Sequence, residues 1–76
     1  MSRHLERLLA IDDLLRRSER QTADTLAERL EVSERTIRHD IAFLRDRFNA
    51  PVKFTRNRGY HYTDDDWRLP SIQLSR

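Results

Sequence analysis

The apolar residues of this chain change period once, and that change sets the order of its elements. Up to Phe48 they recur three and four residues apart, the spacing of helices with one buried face. Asn49, Ala50 and Pro51 break that period. Beyond them "VKFT" and "YHYT" alternate apolar with polar residues, as half-buried strands do. Between the two tetrads stands "RNRG", in which Gly59 supplies the positive φ that a tight hairpin requires. The pattern predicts a mainly α chain with one small β-hairpin: three helices, then two strands over residues 52–62.

Leu5, Leu8, Leu9, Ile11 and Leu15 predict a first helix over residues 3–17. Leu14 lies off the main arc, which suits either the edge of the core or contact with a partner. The polar segment 18–21 ends this helix, and Thr22 is placed to cap the next by accepting from backbone N–H groups. Leu26, Ala27 and Leu30 form one short apolar face, so a second helix is expected over 23–30. After the break at Glu31, Val32 and Ser33, Ser33 is a good N-cap and Glu34 suits the positive end of the helix dipole. The third helix is expected over 34–47. At about 100° per residue, Ile37, Ile41, Leu44 and Phe48 gather on one side. Arg35, His39 and Asp46 lie opposite them, Arg38 and Arg45 on one flank, Thr36 and Asp40 on the other.

In the hairpin, Val52 and Phe54 share a face that Tyr60 and Tyr62 join across the ladder, while Lys53, Thr55 and His61 point outward. The tyrosines then belong to the core rather than to a base-stacking platform. The remaining segment, "DDDWRLPSIQLSR", reads as a linker or tail over 64–76, with the folded domain at 1–63. Its Trp67, Leu69, Ile72 and Leu74 have no evident partner, so the tail is expected to fold back on helix 1 or pack on a second copy. Exposed apolar groups of this kind favour self-association, which makes Leu14 and Trp67 the candidate dimer contacts.

Seventy-six residues suffice for one small domain, which buries only roughly 60% of its unfolded surface. There is no cysteine, hence no disulfide framework and no thiolate metal site. His4, His39 and His61 are too scattered to form a ligand set, and no metal or cofactor is expected. No apolar run reaches membrane-spanning length and no signal-peptide pattern opens the chain, so a cytoplasmic protein is expected. The net charge of +2 is modest, but residues 49–62 carry Lys53, Arg56 and Arg58 without an acid. Lys53 is the single lysine. Arginine offers a planar fork suited to phosphate and guanine, although arginine-rich codon usage would give the same bias.

Two helices joined by a short turn, the second projecting polar side chains, make the helix-turn-helix pattern. Ala27 sits where the helices approach closely, Val32 plugs the turn, and Ile37 anchors the second helix. Glycine is common where Glu31 stands, because that residue tends toward left-handed angles. Glu31 therefore carries strain of up to about 1–2 kcal/mol, or the turn is built differently. With the hairpin as a two-stranded wing, the expected fold is a winged helix-turn-helix.

"LAERLEVSERTIRHDIAFLR" resembles the DNA-binding helix pair of DeoR-type bacterial regulators, down to "TIRHD". "APVKFTRNRGYHYTDDDWRLPSIQLS" resembles the wing and exit segment of WYL-domain transcriptional regulators. The resemblance covers residues 3–75 and implies an N-terminal DNA-binding domain that a larger ligand-sensing region would follow. It also implies double-stranded DNA as partner; a homodimeric full-length regulator is expected, and dimerisation would by geometry call for a palindromic operator.

The residues themselves suggest how such a site would work. Helix 3 would enter the major groove with its N-terminal residues nearest the base edges. Arg35 and Arg38 could each present a bidentate fork to guanine, each good pair being worth about 1–3 kcal/mol of discrimination. Thr36 and His39 complete the base-reading set. Thr22, Ser33, Arg45, Lys53, Arg56, Asn57 and Arg58 are the candidates for phosphate or minor-groove contact. Asp40 would be repelled by DNA and is expected to pair with Arg29 or Arg7. Glu34 serves the helix dipole or accepts from a cytosine amine. A winged helix used only to bind protein is the alternative, against which the cationic wing and polar helix 3 argue. An RNA-binding module lacks its exposed aromatic pair. No nucleophile–base pair, glycine-rich phosphate loop or carboxylate dyad suggests an enzyme.

Overall fold

A computed structural model describes residues 3–69. Its elements are α1 (Arg3–Leu15), α2 (Ala23–Leu30), α3 (Glu34–Phe48), β1 (Val52–Thr55) and β2 (Gly59–Tyr62). The order is the expected one, and the boundaries move slightly. Helix α1 stops at Leu15 rather than 17 because its last turn tightens. The Arg17 N–H reaches the Leu14 carbonyl at 3.2 Å, and the Arg16 N–H is shared between the Asp12 and Asp13 carbonyls. Helix α3 runs one residue further, to Phe48, and Asn49 closes it at φ 57°. Asparagine tolerates that left-handed angle better than most residues.

The caps are those the sequence predicts. The Thr22 hydroxyl accepts from the Thr25 N–H, and the Thr25 hydroxyl accepts from the Thr22 N–H, a reciprocal box. The Ser33 hydroxyl accepts from the Thr36 N–H at 3.1 Å. Glu31 does adopt the left-handed conformation, at φ 59° and ψ 45°, so the strained version of the turn is the one built. Its cost is offset where the Val32 N–H reaches the Ala27 carbonyl at 3.1 Å.

The core is drawn from every element: Leu8, Ile11 and Leu15 of α1, Leu26 of α2, Ile37, Ile41 and Leu44 of α3, and Val52 and Tyr62 of the hairpin. Ile11, Leu26, Ile37 and Leu44 are wholly enclosed. Leu14, a dimer-contact candidate on sequence grounds, is only 6% exposed and belongs to this core. Helix α1 is buried on two sides, so a residue off its main arc is still covered. Leu5, by contrast, is exposed.

β1 and β2 pair antiparallel, with Val52 opposite Tyr62 and Phe54 opposite Tyr60, as the alternation predicts. One facing assignment needs correction. His61 is buried rather than outward, its Nδ1 2.9 Å from the Gly59 carbonyl oxygen. Phe54 keeps its expected face beside Tyr60, ring centroids 5.0 Å apart, and is half exposed. The burial of His61 goes with a pairing that the alternation does not reveal. Gln21 pairs with Gly59 as a parallel bridge, and the Tyr60 N–H donates to the Gln21 carbonyl at 2.8 Å. The start of β2 is therefore covered on both edges, by β1 and by Gln21, while the far end of β1 runs beyond the core.

The exit segment folds back on the same core. Trp67 packs on Tyr62 with ring centroids 5.2 Å apart, and its carbonyl accepts from Arg16 at 2.7 Å. Leu69 is buried. Trp67 and Leu69 thus have partners within the chain, because α1 ends early enough for Arg16 to turn toward them. Ile72 and Leu74 lie outside the described residues.

Candidate nucleic-acid interface

Helix α3 is seated on one side and polar on the other. Ile37, Asp40, Ile41 and Leu44 are buried, whereas Arg35, Arg38, His39 and Arg45 are exposed. Asp40 is the unexpected member of the buried set, at 0% exposure. Arg7 of α1 reaches it with two guanidinium nitrogens, Nε to Oδ2 and Nη2 to Oδ1, and His4 Nε2 lies 3.2 Å from Oδ1. Of the two arginines offered by sequence, Arg7 is the partner. Arg29 faces Glu19 instead, at 3.7 Å. The hydrogen bond and charge of Asp40 raise the Arg7 pKa above its ordinary value, and His4 packs edge-on to Phe43 with centroids 4.8 Å apart. This buried cluster holds α3 against α1 and leaves the arginine-bearing face turned outward.

The exposed side chains fall into two classes. Among the described residues, Arg35 and His39 form no hydrogen bond or ion pair, so both are available to a ligand. Arg38 is held by Glu34, Nη2 to Oε1 at 3.1 Å, one turn away on the same helix. That pair is exposed and weak, about 0.3–0.5 kcal/mol, and a phosphate or guanine edge can compete with it. The Ser33 hydroxyl bonds the Thr36 hydroxyl at 3.0 Å in addition to its cap, which leaves Thr36 its methyl as the more open group. Arg45 lies 3.6 Å from the neighbouring Asp46.

The wing carries Lys53, Arg56, Asn57 and Arg58, all exposed. The Arg58 backbone N–H donates to the Thr55 hydroxyl, which shapes the turn. Thr22, Asp24, Glu34, Arg38, Phe54 and Tyr60 line a groove of about 270 Å³. It brings the starts of α2 and α3 beside the hairpin, so Thr22 and Arg38 share one surface with the wing. Trp67 is partly buried against Tyr62 and does not line this groove.

Sequence reasoning passed over Arg17 and Arg20. They lie in "RRSER", which reads only as a polar helix ending, yet Arg20 Nε donates to the Arg56 carbonyl at 2.9 Å and braces the wing tip. The density of arginine in that run was the available signal. Among the described residues, no three His, Cys, Asp or Glu side chains gather as metal ligands. No described helix is long and apolar enough to cross a membrane.

Comparison with known proteins agrees with this geometry. A family model described as an HTH domain matches residues 6–61, from the first turns of α1 through β2. No curated protein and no solved structure matches the chain. Since that span covers most of the sequence and includes the hairpin wing, the chain belongs to the HTH domain family of DNA-binding helix-turn-helix domains, here in winged form.

Proposed function

We propose that the chain is the sequence-reading domain of a bacterial transcriptional regulator of the WYL-domain, DeoR-type class. Helix α3 lies in the major groove, and the wing lies on phosphates or in the adjacent minor groove. The observation that carries this reading is the state of Arg35 and His39. Both are exposed on the face opposite Ile37, Ile41 and Leu44, and neither has a partner among the described residues. An arginine held out with no acid to satisfy it suits a guanine edge. Arg58 and Arg56 at the wing tip add affinity that depends on salt more than on sequence.

A homodimeric regulator on a palindromic operator, with half-sites about 34–36 Å apart, is part of the same proposal. The burial of Leu14 and the packing of Trp67 move the pairing surface elsewhere in such a dimer.

Selection of bound molecules from a random duplex pool tests the reading. The expected result is a single enriched motif, which Arg35→Ala relaxes and Arg58→Ala weakens uniformly. Recovery of no motif, or identical behaviour of the two variants, would refute it.

A further inference from the structure

A second cationic surface lies behind the wing. The end of α1, the wing tip and the exit turn flank an open cleft of about 410 Å³ bordered by Arg16, Arg17, Arg58, Asp65 and Arg68. A smaller cleft of about 140 Å³, bordered by Glu19, Arg20 and Asn57, shares Leu15, Arg17, Ser18 and Arg58 with the first. Together they present five arginines against Glu19 and Asp65. The arginines differ in how firmly they are held. Arg16 is fixed by Asp12 at 3.1 Å and by the Trp67 carbonyl, so its role is structural. Arg17 pairs with Asp13 across one exposed helical turn, at 2.8 Å with 53% and 65% of the side chains open to solvent. Arg20 spends one N–H on the Arg56 carbonyl and keeps its remaining donors.

We propose that Arg17 and Arg20, continuous with Arg58 at the wing tip, form a second phosphodiester-binding surface that carries the duplex past the wing. This rests on the duplex-binding reading above. Three observations select an extended polyanion. Arg58 borders both clefts, so a backbone that reaches the wing tip meets Arg17 and Arg20 next. The lining is mostly charged, with Leu15 and Tyr62 as its apolar members, which leaves little for the apolar anchors of a protein partner. The available guanidinium groups stand open to solvent rather than converging in an enclosed pocket, which suits a tracked backbone better than one captured ion.

The test is duplex binding against salt concentration for the whole chain and its Arg17→Gln, Arg17→Gln/Arg20→Gln and Arg17→Lys/Arg20→Lys variants, with a long random-sequence duplex as probe. The expected result is weaker binding for both glutamine variants. The slope of log affinity against log salt falls by about 0.9 for each phosphate left without its cation, and the lysine variant restores it. Any motif enriched by the wild type stays unchanged. An unaltered slope in the double glutamine variant, while Arg58→Ala lowers it, overturns this surface and leaves the proposed function standing. Absence of duplex binding by the wild type overturns both. Chemical shifts at the Arg17 and Arg20 side chains that respond to inorganic phosphate and not to duplex overturn it in favour of a small-anion site.

Discussion

Arg7 and Asp40 meet across 33 positions of sequence, a two-nitrogen guanidinium pair on a carboxylate with no solvent exposure. Breaking one side of such a pair leaves an uncompensated buried charge. Arg7→Ala should therefore cost about 3–5 kcal/mol of stability, with His4 left beside Asp40 as a weaker partner. Replacing both residues with apolar side chains should recover most of that loss. Urea denaturation of the two variants measures it, and a loss under about 1 kcal/mol for Arg7→Ala would show the pair to be ornamental.

Glu31 holds a left-handed conformation at the turn between α2 and α3. A side chain there costs about 1–2 kcal/mol, which glycine avoids at some entropic expense. Glu31→Gly is expected to raise stability by about 0.5–1 kcal/mol, read as a higher denaturation midpoint with an unchanged slope.

Gly59 is required for two reasons at once. Its φ is +70°, and an added Cβ would stand 2.2 Å from the Gln21 carbonyl oxygen, which receives the Tyr60 N–H. Gly59→Ala should cost about 2–3 kcal/mol from backbone strain and the broken hydrogen bond together. Amide exchange should accelerate at Tyr60 before it does in α3. Uniform acceleration across the chain would argue against a local effect.

Tyr62 donates to Asp12 Oδ1 at 2.6 Å from a buried position. Burial first, then that hydrogen bond, raises its pKa above the ordinary value of 10.0. A raised folded-state pKa contributes stability that is complete below the unfolded value and is lost as pH climbs beyond it. The protein should thus lose stability above about pH 10, where the unfolded phenol ionises and the folded one does not. Tyr62→Phe should flatten that part of the pH curve, and denaturation midpoints at neutral and alkaline pH would decide the matter.

Glu34 restrains Arg38 and places a carboxylate on the proposed reading face. Glu34→Gln should tighten binding to duplexes of any sequence and steepen the salt dependence by up to about 0.9, with stability changed by less than about 0.5 kcal/mol. Fluorescence anisotropy at several salt concentrations provides the measurement. Unchanged affinity would place Arg38 away from the duplex.

Much of the proposed reading face was legible in the sequence because helical spacing is a local property. The positions of Ile37, Ile41 and Leu44 determine where Arg35 and His39 point, whatever α3 packs against. Ser33 and Thr22 announced their helices through hydroxyls that act within three residues. Asp40 announced a partner through its unsuitability near DNA, but a choice between Arg7 and Arg29 needs the crossing of α1 and α3. Leu14 took the edge-of-core place the sequence allowed it, whereas His61 misled because alternation assumes one covered face.

The sequence by itself determined the local chemistry: three helices with their caps, the glycine turn, the polar outer face of α3 and the cations of the wing. Those features depend on residues within a few positions of one another. The tertiary structure alone decided how distant segments meet. It placed Gln21 beside Gly59, Arg16 against Trp67, and Arg17 and Arg20 behind the wing tip. The reason is that such pairings are selected by how whole helices pack and by where α1 ends, and no local spacing encodes either.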